Sequence, residues 1–248
     1  MFAKLIAWIR EVINKMINQS AVKQAAKVEV AVSTVMGEAI QRWALMYENK
    51  ASWLTRDIRS LNLPAAIAGE IARLTTLEMD VKFTGGARAK YLEEQFAPVM
   101  DKLRERVEYG CAKGGLIFKP YVSADAVVVD YVHADQFYPV AFDSNGNITA
   151  AIFADQRQVG DKHYTRLEYH QMEGDGCVIR NSAYRSNSKD TLGSQVSLDV
   201  VDDWKELEPE AKVTGINKPL FAYFRYPLAN TIDPSSRLGV SCYSRAED

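Results

Sequence analysis

Gly114-Gly115-Leu116-Ile117-Phe118-Lys119-Pro120-Tyr121-Val122, followed closely by Ala126-Val127-Val128-Val129-Asp130-Tyr131-Val132, decides the fold class of this chain. Both runs are short and rich in β-branched and aromatic residues, which suit a pleated, half-buried surface. Upstream of Gly114 the apolar residues recur every three or four positions, the period of a helix packed on one face. Helices to about residue 110 and strands after it predict an α+β fold: a helical amino-terminal part followed by antiparallel β hairpins.

The helical part begins with residues 1–20, read as an amphipathic amino-terminal helix. Phe2, Leu5, Ile6, Ile9, Val12, Ile13, Met16 and Ile17 form its apolar stripe. Lys4, Arg10, Glu11 and Lys15 interrupt any apolar core, so the segment reads neither as a signal peptide nor as a span. Its polar face carries too few basic residues for a membrane-surface helix, so docking on its own domain or a neighbouring subunit is expected. Ser33 or Thr34 is expected to cap a second helix carrying Val35, Met36, Ile40, Trp43 and Tyr47. Pro64 suits an early position of a third, where its missing N–H costs nothing. Ile67, Ile71 and Leu74 fall on one face there and are expected in the core. Trp43 and Trp53 are expected as core anchors. Gly85-Gly86 breaks the chain. Leu92, Phe96, Val99, Leu103 and Val107 then mark a fourth helix, with a kink or break expected near Phe96 because Pro98 lies inside the pattern.

Past Gly114, Asn145-Gly146 inside Asp143–Asn147 is a strong hairpin signal. Further strands are expected at Ile148–Asp155, Tyr164–Gln171, Cys177–Tyr184 and Leu220–Phe224. Residues 185–215 read as a loop that turns acidic between Asp199 and Glu210. Ser241 reads as an N-cap, with residues 244–248 entering a helix that the sequence ends too soon to complete. The chain therefore reads as an amino-terminal fragment of a longer protein.

A net charge of −2 argues against a dedicated duplex-DNA-binding domain, which carries a basic face. Cys111, Cys177 and Cys242 are far apart and form no CxxC, so they read as free thiols, neither a disulfide framework nor a zinc site. The glycine groups Gly85-Gly86 and Gly110-Cys111-Ala112-Lys113-Gly114-Gly115 match no phosphate-binding loop and read as turns. His133 with Asp135, and His163, give no metal-ligand spacing.

The most enzyme-like feature is Arg166-Leu167-Glu168-Tyr169-His170. On a strand, alternate residues share a face, so Arg166, Glu168 and His170 project together. A carboxylate beside an imidazole is the raw material of acid–base catalysis. Opposite charges on the polar face of an antiparallel strand are the plainer reading. No nucleophile or second carboxylate is spaced to join them. Neither catalytic residues, nor metal ligands, nor a cofactor are expected. A membrane-associated or scaffolding interaction protein built on helix 1–18 is the alternative, and an acid–base enzyme using Glu168 and His170 a more distant one.

Several phrases, in order, resemble the portal proteins of long-tailed bacteriophages and related prophages. They begin with Trp53, Leu61-Asn62-Leu63-Pro64-Ala65-Ala66-Ile67-Ala68-Gly69-Glu70-Ile71-Ala72-Arg73-Leu74 and Glu78. Arg106-Val107-Glu108-Tyr109-Gly110 and Gly114–Pro120 come next, then Asp135-Gln136-Phe137-Tyr138-Pro139-Val140 before the Asn-Gly turn. Arg166–His170, Ile179–Tyr184, Pro219–Phe224 and Leu238-Gly239-Val240-Ser241 complete the series. Arg237 stands where the pattern leads one to expect proline. The resemblance implies a portal wing domain over 21–240 and the start of a truncated stem helix over 241–248, with the clip, second stem helix and crown absent. It implies a homo-oligomeric ring of about twelve copies closed by rotation, set at one capsid vertex of the virion and assembled in the bacterial host cytoplasm. The partners implied are the chain itself, the terminase large subunit, a head-completion or connector protein, the major capsid and scaffolding proteins, and double-stranded DNA in the channel, with no membrane and no cofactor. In such a ring the terminase, not the portal, hydrolyses ATP.

Overall fold

The computed structural model describes residues 17, 19–55, 57–58, 60–123 and 126–246. Its class is mixed α+β, as the sequence predicts. The described helices are α1 (Gln19–Ala26), α2 (Thr34–Tyr47), α3 (Leu63–Thr76), α4 (Ala87–Asp101) and α5 (Leu103–Lys113). The strands are β1 (Gly115–Ser123), β2 (Ala126–His133), β3 (Phe137–Phe142), β4 (Ile148–Val159), β5 (Lys162–Glu173), β6 (Gly176–Ser186), β7 (Ser194–Val196), β8 (Glu210–Thr214) and β9 (Ala222–Arg225). They fall into two units that interleave along the sequence. Residues up to Gln41, Asp135–Leu220 and Thr231–Arg237 form the first; Arg42–Ala134, Phe221–Asn230 and Leu238–Asp248 form the second. The amphipathic segment expected over 1–20 lies almost wholly outside the described residues.

The first unit is built on an antiparallel sheet in the order β3-β4-β5-β6-β7, with β8 also paired to β6. β7 and β8 share one edge of β6, pairing with Ala183–Arg185 and Gly176–Arg180 respectively. The Asn145-Gly146 turn joins β3 to β4: the Gly146 N–H donates to the Asp143 carbonyl, and Gly146 takes φ +85°, which its missing side chain permits. Tyr138, Ile152, Ala154, Leu167 and Tyr184 form one core layer with Ile17, Val22 and Leu192. Residues 185–215, expected as loop, hold β7, β8 and two 3-10 turns, Leu198–Val200 and Asp202–Trp204. Trp204, Val201 and Ala183 make a second small core there. The weak periodicity of this stretch hid three-residue and five-residue strands whose hydrogen bonds come entirely from β6.

Ser33 caps α2, as expected. The Met36 N–H donates to its hydroxyl at 3.3 Å, and that hydroxyl donates to Asp233 Oδ2 at 2.6 Å. One small side chain thus ties a helix start to residues two hundred positions away. Ser33→Ala is expected to lower stability by about 1–2 kcal/mol. Urea denaturation near neutral pH, where Asp233 is ionised, measures this; a loss below about 0.3 kcal/mol would show that solvent replaces both bonds.

The second unit carries the three-stranded antiparallel sheet β2-β1-β9 and helices α3, α4 and α5. Pro64 sits in the first turn of α3, as the sequence requires. The face of α3 that docks is not the expected one. Ala68 and Ala72 are fully buried, while Ile67 is 40% and Leu74 59% exposed. α3 meets α5 through its small residues, with Gly69 lying against the Glu108 carboxylate. Small side chains let two helix backbones approach closely, and here that contact outweighs burial of the larger ones. Trp43 is fully buried, but Trp53 is half-exposed and anchors no core. The single fourth helix expected from the sequence is two helices. The chain runs through Pro98 and leaves helical angles at Lys102 (φ −108°, ψ 1°), six residues beyond Phe96. Gly110–Lys113 is the last turn of α5, not a loop. Gly114 closes the helix in the left-handed conformation (φ +85°).

The chain re-enters this unit near its end. Leu238, Val240, Ser241 and Tyr243 are all buried. The Gly239 N–H donates to the Tyr223 hydroxyl at 2.9 Å, the Cys242 N–H to the Cys111 carbonyl at 2.9 Å, and the Tyr243 hydroxyl to the Trp43 carbonyl at 2.8 Å. Ser241 behaves as a cap, its hydroxyl accepting from the Tyr243 N–H at 3.3 Å. Two i→i+3 turns come after this cap, Ser244 to Ser241 and Ala246 to Tyr243.

Candidate functional site

The alternation of β5 places Thr165, Leu167 and Tyr169 on one face of the first unit's sheet and Arg166, Glu168 and His170 on the other. The three expected residues are brought together. His170 Nε2 lies 2.6 Å from Glu168 Oε1, and Arg166 Nη1 donates to Glu168 Oε2 at 2.7 Å. Each carboxylate oxygen of Glu168 is therefore engaged along the strand. Arg166 also donates to Asn181 Oδ1 at 2.9 Å and lies 3.7 Å from Asp155 Oδ2. The register explains these partners. Asp155 and Phe153 on β4, and Ala183 and Asn181 on β6, stand directly opposite Arg166 and Glu168.

The strip is buried: His170 is 3% and Glu168 8% exposed. The Phe153 ring meets the His170 ring edge-on with centroids 5.2 Å apart, and Phe137 stacks on Phe153 at 5.7 Å. The opposite charges pair along the strand, as the plainer reading has it, and the face that carries them is buried. The network continues outward through Asp155, whose Oδ2 accepts from the Trp204 indole at 3.1 Å, and through Arg157, which reaches Asp203 at 3.2 Å. Charge thus runs from a desolvated histidine to the surface across β5, β4 and the Asp202–Trp204 turn. Chemically the arrangement couples β5 to β6 by a charge-assisted hydrogen bond and to β4 by an ion pair, in a setting of low dielectric.

The other histidines lie elsewhere. His163 is near the mouth of the β4–β5 hairpin, opposite Gln158 and Ser186. His133, in the second unit, has Nδ1 3.2 Å from Lys113 Nζ, and its ring lies 4.7 Å from that of Tyr109. Tyr109 in turn meets Tyr47 edge-on at 5.7 Å, and the Tyr47 hydroxyl donates to Glu108 at 2.7 Å. Burial, then that bond to a carboxylate, pushes the Tyr47 phenol well above its usual range. Sequence reading missed this second cluster because Tyr47 and Glu108 are sixty-one positions apart and only the tertiary fold brings them together. Among the described residues no group of three or more His, Cys, Asp or Glu is placed to hold a metal ion. No described helix is long and apolar enough to cross a membrane.

Comparison with protein-family models and with curated proteins finds no match to this chain.

Proposed function

We propose that this chain serves in the structural subunit of a bacteriophage portal ring, the channel at one capsid vertex through which double-stranded DNA enters and leaves. The reading rests on the order of the resembling phrases, and one structural observation supports it. Two of those phrases, far apart in sequence, meet in the second unit: a side chain on Gly114 would lie 2.6 Å from the Gly239 carbonyl oxygen. Leu238-Gly239-Val240-Ser241 is thus gripped against the turn between α5 and β1, and the chain leaves that grip at a serine cap. A fixed exit point of this kind is what a subunit needs to aim a following channel helix. In this role the Arg166–Glu168–His170 strip braces the sheet of the first unit and acts on no substrate. The partners are other copies of the chain, the terminase large subunit, a connector protein, the capsid and scaffolding proteins, and the passing DNA; the place is the virion.

Electron microscopy and native mass spectrometry of the full-length protein test this. A closed ring of about twelve subunits is the expected result. Particles no larger than dimers at micromolar concentration, or turnover of an ester, nucleotide or glycoside that Glu168→Gln removes, would overturn the reading.

A further inference from the structure

Cys111 and Cys242 are far apart in sequence and meet in the second unit. Cys111 lies in the last turn of α5 and is buried; Cys242 follows the Ser241 cap and is half-buried. The Cys242 N–H donates to the Cys111 carbonyl at 2.9 Å. A backbone hydrogen bond made directly between two residues sets their Cα atoms about 5–6 Å apart, within the roughly 4.4–6.8 Å that a disulfide spans. The sulfurs also share their surroundings. A negative charge on Cys242 makes the Cys111 thiol harder to ionise, and the Tyr226 phenol feels both sulfurs. Coupling of this kind falls off with distance, so it places the two thiols near one another. Cys177, the third thiol, lies on β6 of the first unit.

We propose that Cys111 and Cys242 form a redox clasp, which a small-molecule disulfide closes into a protein disulfide fastening the end of the chain to α5. Cys242, the more exposed of the two, loses its proton to solvent. Its thiolate attacks one sulfur of the small disulfide, whose S–S bond breaks, and the first small thiol leaves as a thiolate and takes up a proton. Cys111 then loses its proton, attacks the Cys242 sulfur of the mixed disulfide, and releases the second small thiol in the same way. The protein gives up two electrons and two protons, and the small disulfide receives both. The clasp adds a covalent bond to a grip already made by the Gly239–Tyr223 and Tyr243–Trp43 hydrogen bonds. It does not depend on the ring reading. Burial pushes the Cys111 thiol up to about 12, with Cys242 and then Glu108 adding to the effect. Burial pushes Cys242 up to about 11, against hydrogen bonds from Ser241 and from the Cys242 and Tyr243 N–H groups. The titratable groups facing the pair are Glu108 on α5 and Tyr226 just after β9, both acids. Little thiolate is therefore present at neutral pH, and closure is slow there and faster in alkali.

The test is to incubate the reduced chain with excess oxidised glutathione from about pH 7 to about pH 9, quench in acid, and map the peptides without reductant. The expected product is a Cys111–Cys242 cross-linked peptide that dithiothreitol separates, formed about tenfold faster for each pH unit. Because the bond closes a loop of about 130 residues, the oxidised chain should melt at least about 5 °C higher than the reduced one. Cys111→Ser and Cys242→Ser should each abolish that rise, and Cys177→Ser should keep it. The peptide map needs no variant, so it decides the matter even if a serine variant fails to fold. Two free thiols after prolonged incubation at the highest pH would overturn the proposal. So would a Cys242 that stops at the mixed disulfide with glutathione, or a cross-link that joins Cys177 or two chains instead. A clasp that closes without raising the melting temperature would show that the end of the chain is not what it fastens.

Discussion

Replacing Gly239 with alanine is expected to destabilise the second unit by about 3 kcal/mol, a large effect for one methyl group. A Cβ at this position would collide with the backbone carbonyl oxygen of Gly114 and press on the Arg225 side chain. The first of these neighbours is main chain, held at φ +85° at the end of α5, and its carbonyl accepts from the Tyr226 N–H at 3.1 Å. It cannot swing aside as a side chain would. Relief therefore requires Leu238–Ser241 to lift, exposing Leu238 and Val240 and breaking the Gly239–Tyr223 and Tyr243–Trp43 hydrogen bonds. Urea denaturation of the purified variant reads the loss directly. Arg237→Ala, outside the grip, serves as the control and should change stability far less. If Gly239→Ala melts within about 0.5 kcal/mol of the wild type, the close crossing of the two glycines does not exist in solution.

Glu168→Ala is expected to cost about 3–5 kcal/mol, because removing one partner from a buried ionic network strands the others. Arg166 would keep Asn181 and the more distant Asp155, and His170 would lose its 2.6 Å contact with Glu168. Exchanging the whole network for apolar residues, Arg166→Met with Glu168→Leu and His170→Phe, is expected to cost clearly less than the single change, since no unpaired charge then remains buried. That ordering distinguishes a charge network from a simple volume effect. If the triple variant proves the less stable of the two, packing rather than charge governs this face.

The class of the fold was legible from local pattern because that pattern is local physics. The β-branched and aromatic residues of Leu116–Val122 and Ala126–Val132, the Asn145-Gly146 turn, the Ser33 cap and Pro64 at a helix start all act within a few residues. The co-facing of Arg166, Glu168 and His170 was legible for the same reason, being a consequence of a two-residue period. Their burial was not. It depends on Phe153, Phe137 and Asn181 arriving from β3, β4 and β6, and a strand pattern does not say which of its faces a neighbour will cover.

The helical half shows the same division more sharply. An apolar stripe at Ile67, Ile71 and Leu74 correctly indicated a helix, but Ile67 and Leu74 lie on its outer side and only Ile71 is half-buried. Periodicity reports that a face is apolar; it does not report whether the chain or another molecule covers it. The Tyr47–Glu108 bond, the Lys113–His133 contact and the crossing of Gly114 with Gly239 join residues between twenty and about one hundred and twenty-five positions apart. By itself the sequence determined the α+β class, most of the longer helices and strands, the Asn145-Gly146 turn and which side chains share a strand face, because steric and hydrogen-bonding preferences within a few residues decide those matters; the short strands β7 and β8 and the break at Lys102 escaped it. Which faces are buried, which charges meet and where the end of the chain is gripped were decided only by the tertiary structure, because those contacts depend on loop closures and packing choices that no short window contains.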